Sequence, residues 1–405
     1  MTITYFAILL ATLPFRFLSY KTLHRIGTSL GTCAYYLIPK FRKRTLSNLS
    51  LATTLNLDNK TLKKVARGSL QNLMITLLEY AKLSGEKQIH KIATCLNPER
   101  AMELMRDGKG VIFFCAHQAN WELLFLEGSF RMKGVAIGRP IKNKQLYAWI
   151  LSIRQKFGGK IITPKEAIAG SLRALKEPAF LGIVGDQGMP ESGFSSLFFG
   201  RKAWSSPVPA LLAHRTGRPV IVATCHRENG TYLIHYSEPL FANQNAPKEK
   251  EIPRLMNEML QLLETSIAKK PEQWLWQHNR WKQQIRGRLK QRFRHESVCI
   301  VVPNEKGILE ELPVFRELYP EEFLTFLLPA ELREQFFMKD AELLYYTRLE
   351  ETLLIDFRFK LVYNLTEYKK IKRHYLKLSA FYVLERNQLT REKLSDALRQ
   401  EVYAN

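Results

Sequence analysis

From position 111 to position 236 short apolar runs, closed by polar or glycine-containing turns, alternate with stretches of helical periodicity. Val111 to Cys115 is one such run, rich in β-branched and aromatic residues and ended by Ala116, which predicts a buried strand. Trp121-Glu122-Leu123-Leu124-Phe125-Leu126-Glu127 follows, with an Asn in cap position and an acid in the first turn, which predicts a helix. Further strands are expected over 134–140, 160–162, 179–184, 219–225 and 232–236, and helices over 143–157, 166–176, 208–216 and 252–269. Gly158-Gly159 supplies a stop for the first of these helices. Residues 57–106 read as helices covering a sheet. The alternation predicts an α/β fold with a mixed central sheet flanked by helices.

The two ends depart from this pattern. The first fifteen residues are apolar, interrupted by Pro14, followed by Arg16, and short of the roughly 20 residues that cross a bilayer comfortably. They lack the charged start and cleavage site of a secretory signal. A second apolar stretch, 26–38, ends at Pro39 and precedes Lys40, Arg42, Lys43 and Arg44. Such segments suit helices inserted in, or lying on, an anionic membrane face; equally they suit buried helices with solvated basic ends. The expected organisation is membrane-associating helices over 1–45, a main domain over 46–285, a basic linker over 286–295 and an extra C-terminal α/β module over 296–405. That module has a strand at 298–302, helices at 369–378 and 390–402, and no catalytic constellation.

Charge and cysteine usage narrow the classes. The 405 residues carry 61 Lys+Arg against 38 Asp+Glu, and a net charge of +23 implies an anionic partner. The aromatic and basic residues form no RNA-recognition or zinc-finger pattern, so nucleic acid is not expected. The five cysteines include no CxxC, which argues against a disulfide framework or a structural zinc site and for reduced thiols facing a cytosol. No second histidine stands at HExxH spacing, and no metal is expected.

Candidate chemistry gathers at strand ends, where α/β folds bind ligands. His117 and Glu122 stand five residues apart. On one continuous helix that step turns roughly 500°, leaving the side chains about 140° apart. With His117 in the turn, however, Glu122 can reach back, hold one ring nitrogen and leave the other as a general base aimed at a hydroxyl. The same residues also fit a helix start whose dipole Glu122 complements. Cys115 is either a thiol partner of His117 or an inward-packed strand residue. Arg139 and Asp186 follow other strands, and Arg154 closes a helix; each fits a substrate contact or an ordinary ion pair. Trp274, Trp276 and Trp281 fit a membrane-interface belt or a core corner.

In order along the chain stand HxxxxE (His117 to Glu122), Arg139-Pro140, Phe157-Gly158-Gly159, Asp186-Gln187, Phe198-Phe199-Gly200 and the PEQWLWxHxRWK segment of 271–282. Together they resemble the bacterial lipid A biosynthesis acyltransferases, the late lauroyl/myristoyl transferases within the glycerolipid acyltransferase superfamily, over residues 1 to about 285. The resemblance implies an inner-membrane protein acting on the cytoplasmic side. It would move an acyl chain from an acyl carrier protein thioester, with no other cofactor, to a hydroxyl of a Kdo-bearing lipid A precursor. His117 would be the base and Glu122 its orienter, with Arg139, Arg154 and Asp186 as substrate contacts and no role required of Cys115. Lipid acceptor, anionic leaflet and acidic carrier protein would all be drawn to the positive charge. Such chains usually end soon after the RWK segment; the tail here resembles half of a nucleotide-sugar-type α/β domain without a pyrophosphate-binding glycine motif. The competing readings are an acyltransferase for a lysophospholipid or another glycolipid, and a basic membrane-binding protein without catalysis.

Overall fold

The computed structural model describes residues 10, 12–284, 295–305, 307–389 and 394–403. The first nine residues of the N-terminal apolar run, and the expected linker up to position 294, lie outside the described residues.

In chain order the elements are α1 (Tyr20–Leu37), α2 (Pro39–Leu51), α3 (Asn59–Gly85), β1 (Ala93–Cys95), α4 (Glu99–Arg106), β2 (Val111–Cys115) and α5 (Glu122–Arg131). Then come β3 (Gly134–Ile137), α6 (Lys144–Arg154), β4 (Lys160–Ile162), α7 (Ala167–Lys176), β5 (Phe180–Val184), β6 (Phe194–Phe198), β7 (Arg201–Ser205) and α8 (Val208–Thr216). They are followed by β8 (Val220–Glu228), β9 (Thr231–Tyr236), α9 (Lys248–Lys269), β10 (Ser297–Val301), α10 (Ile308–Glu311), α11 (Val314–Leu318), β11 (Phe323–Pro329) and β12 (Ala341–Tyr346). The last are β13 (Leu361–Asn364), α12 (Lys370–Lys377), β14 (Tyr382–Glu385) and α13 (Leu394–Tyr403).

The chain divides into two compact units, Met1–Leu37 with Lys63–Leu275 and Ile38–Leu62 with Trp276–Asn405. This differs from the linear division expected above. Residues 46–62 and the chain from Trp276 belong with the C-terminal sheet, because their polar groups are satisfied there: the Ser47 hydroxyl donates to Arg358 O, and Lys360 Nζ donates to Asn48 Oδ1 at 2.8 Å.

The first unit is built on a seven-stranded sheet in the order β1-β9-β8-β2-β5-β3-β4. Neighbours run parallel except the β8–β9 pair, so the expected mixed sheet is present. All five residues of β2 are buried, as a strand covered on both faces requires. β1 lies inside the stretch read as all-helical: a three-residue strand shows no period, and its pairing with β9 is long-range. Phe199-Gly200 turns the β6–β7 hairpin with φ of 48° and 82°, the two positive angles of a type I′ turn.

Helix α1 is spent on packing. Leu23, Gly27, Gly31 and Tyr35, four residues apart, are its buried face. A Cβ on Gly31 would stand 2.3 Å from the Cα of Gln71 in α3, so glycine there lets the two backbones touch. Among the described residues no helix is long and apolar enough to cross a membrane. The sequence left a single membrane span and an interfacial helix open for the N-terminus; the span is not found among the described residues, Lys21, His24 and Arg25 interrupt α1, and its glycines at 27 and 31 face α3.

In the second unit all neighbours in the sheet β12-β11-β10-β13-β14 are parallel. In order of appearance this is 3-2-1-4-5, the doubly wound arrangement with its switch point between β10 and β13. Apolar cores cover both faces, one around Ile300 and Phe326 and the other around Cys299 and Val362.

Candidate active site

The carboxyl ends of the adjacent strands β2, β5 and β3 lead to His117, to Asp186 and to Arg139. The turn bearing His117 is tightly held. Gln118 N donates to Ala116 O, and Ala119 takes a left-handed φ of 50°, which costs a non-glycine residue of order 1–2 kcal/mol. The surroundings over-determine that geometry. Ala119 N donates to Gln273 O, and Ala119 O accepts from Asn72 Nδ2 and Thr76 Oγ1 of α3. Leu275 N donates to His117 O, Gln118 Nε2 donates to Ser266 O, and Asn120 Nδ2 donates to the buried Glu79.

His117 is oriented by Asp186. The ring Nδ1 lies 2.6 Å from Asp186 Oδ1, and the backbone N–H of His117 donates to Oδ2 at 2.8 Å. The Trp274 indole N–H donates to the same Oδ2 at 2.6 Å. Gln187 Nε2, a donor only, stands 3.3 Å from His117 Nε2, which therefore accepts. Both contacts describe one tautomer, with the proton on Nδ1 and the lone pair on Nε2. Burial alone would raise the Asp186 carboxyl; the charge of His117, the hydrogen bonds from its ring and backbone, and the Trp274 indole outweigh it and hold it at about 2.

Glu122 does not reach back to His117 as the spacing suggested. Its carboxylate takes four donors of its own: Oε1 accepts from the Tyr80 hydroxyl, from Trp121 Nε1 at 3.1 Å and from Arg154 Nη2 at 2.6 Å, and Oε2 accepts from Arg154 Nε at 2.7 Å. The reason is local: Glu122 opens α5 on the side where the end of α6 brings Arg154, and a guanidinium fork matches a carboxylate better than one imidazole nitrogen does. Burial would lower the Arg154 pKa, but hydrogen bonds and charge from Glu122 raise it beyond the ordinary range.

The remaining candidates separate clearly. Arg139 is exposed and has no partner among the described residues; Gly138, just before it, lies beside Arg154. Cys115 is buried, its Sγ 3.7 Å from Ile183 O, and burial pushes its thiol far up, which leaves no thiolate for attack. Trp274, Trp276 and Trp281 are all buried, and a membrane-interface belt is excluded for them. Among the described residues no cluster of His, Cys, Asp and Glu could hold a metal. Sequence reasoning missed Tyr80 and Glu79. Their only signal was an acid and a hydroxyl side by side within the apolar run of 77–81 on α3. Trp274 carried the signal of the PEQWLW segment without its partner.

Residues 1–283 match the family described as bacterial lipid A biosynthesis acyltransferase. A lipid A biosynthesis lauroyltransferase of Escherichia coli (strain K12) is 22% identical over 277 residues, 67% of this chain and 88% of the relative.

Proposed function

Since the chain belongs to the bacterial lipid A biosynthesis acyltransferase family, and so is an acyltransferase of lipid A biosynthesis, we propose that it moves a fatty acyl chain from an acyl carrier protein thioester to a hydroxyl of a Kdo-bearing lipid A precursor. The observation that carries the mechanism is the asymmetry of His117, with Nδ1 on Asp186 and an accepting Nε2. Nε2 takes the proton of the acceptor hydroxyl as its oxygen attacks the thioester carbon. The tetrahedral oxyanion collapses, the carbon–sulfur bond breaks, and the carrier's sulfur leaves with the proton from Nε2. Asp186 stabilises the imidazolium in between. No enzyme nucleophile is needed, in keeping with the buried Cys115 thiol. Arg139 and Arg154 are the cations at this edge that bind anionic groups of the acceptor.

An apolar rim fits a lipid substrate. Ile141 and Met189 on the segments that follow β3 and β5, Val184 at the end of β5 and Leu197 on the hairpin all expose apolar side chains. Leu10, Leu13, Phe17, Leu30, Tyr36 and Leu37 do the same near the N-terminus, and we assign them to the cytoplasmic face of the inner membrane as an interfacial contact.

Acyl transfer from labelled acyl carrier protein to a Kdo-bearing tetraacyl precursor tests the reading. Wild type and Cys115→Ala are expected to transfer, and His117→Ala to lose about 10²- to 10⁴-fold. A wild type that acylates a lysophospholipid and leaves the precursor untouched would refute the lipid A acceptor.

A further inference from the structure

The acid of the HxxxxE motif has a different partner from the histidine. Glu122 is saturated by Arg154, Tyr80 and Trp121, while both ring nitrogens of His117 are engaged by Asp186 and Gln187. The hydroxyl of Tyr80 also accepts from Arg154 Nη2 at 3.4 Å, so Nε and Nη2 are both occupied. Nη1 has no partner among the described residues. A methyl group added at Gly138 would sit 3.6 Å from it and 2.7 Å from Ile161 Cγ2, so glycine keeps that side of the guanidinium clear. The Arg154 side chain keeps 22% of its exposure against 5% for Glu122: one end of the pair is sealed and the other open.

We propose that Glu122 is a positioning residue that acts through Arg154 and not through His117, fixing the guanidinium so that Nη1 presents its N–H donors to an anionic oxygen of the bound substrates. Two oxygens have that chemistry: a phosphate of the acceptor, and the oxyanion formed at the thioester carbon. The inference deepens the acyl-transfer reading and rests on it for its assay. It divides the site between two carboxylates, Asp186 for the proton and Glu122 for the anion.

The test is a double-mutant cycle on the full chain, with kcat, KM and the pH–rate profile measured for Glu122→Gln, Arg154→Ala and the double variant. Each single variant is expected to lose roughly 10²- to 10³-fold in kcat/KM. The double variant should lose no more than Arg154→Ala alone, because both remove one device. The acid limb of Glu122→Gln should coincide with that of wild type. A rise in KM identifies the acceptor phosphate, and a fall in kcat at unchanged KM identifies the oxyanion. A displaced acid limb in Glu122→Gln, or a further tenfold loss in the double variant, overturns the proposal. Should Glu122→Gln fail to fold, Tyr80→Phe replaces it, with a several-fold loss expected in the same parameter and an unmoved pH profile; wild-type kinetics in that variant overturn it. If wild type transfers nothing to the lipid A precursor, the functional reading fails by itself, and affinity for inorganic pyrophosphate decides this one. A loss of about tenfold by either substitution, and no more by both, supports it; Glu122→Gln binding as wild type, or a wild type that does not bind, refutes it.

Discussion

At His117 the two ring nitrogens meet different groups, a carboxylate on Nδ1 and an amide donor on Nε2. Asp186 matters through its charge, which is held at about 2 although the side chain is buried. A carboxyl depressed from its ordinary 3.8 adds stability that is present above about pH 4 and is lost as pH falls through 2; the difference corresponds to about 2 kcal/mol. The stability gap between wild type and Asp186→Asn should therefore narrow by about that amount between pH 5 and pH 2, read by denaturant unfolding at each pH. The HxxxxE spacing was legible as a site but its pairing was not. Which donors reach Glu122 depends on Tyr80 and Arg154, 42 and 32 residues away along the chain.

Among the elements, α1 shows how a helix with membrane-like composition can be used as a packing piece. Its glycines at 27 and 31 face Ile75 and Gln71 of α3 at distances no side chain tolerates. Gly31→Leu should force the two helices apart and cost on the order of 1–3 kcal/mol. The check is a drop in Tm with acyl transfer still measurable at low temperature; an unchanged Tm would show that the two backbones do not meet. The β6–β7 hairpin was not read as strand, whereas the strands β2, β3, β4, β5, β8, β9 and β10 were legible from short apolar runs bounded by turn residues. The strand β1 and the side of the turn that Glu122 faces were not, because both are fixed by partners remote in sequence.

For the molecule as a whole, the C-terminal sheet is tied to residues that the linear reading gave to the catalytic domain. Lys360, buried within the second unit, forms an ion pair with Glu296 and donates to Asn48; Asn48 in turn donates to the carbonyls of Trp276 and His278. Burial would raise Glu296, yet the Lys360 charge and hydrogen bond hold its carboxyl below the usual range. Lys360→Ala leaves that carboxylate buried and alone and should cost about 3–5 kcal/mol, whereas Lys360→Met with Glu296→Leu should be near neutral or stabilising. Equilibrium unfolding of both variants checks this, and equal losses in the two would refute it. By itself the sequence determined the α/β class, the strand ends on which His117, Arg139 and Asp186 stand, and the family, because apolar periodicity and ordered motifs are local properties. Only the tertiary structure decided that Asp186 orients His117, that Glu122 belongs to Arg154, and that residues 38–62 join the C-terminal unit. Those are pairings between distant segments, settled by which buried polar group finds a donor or acceptor within hydrogen-bonding reach.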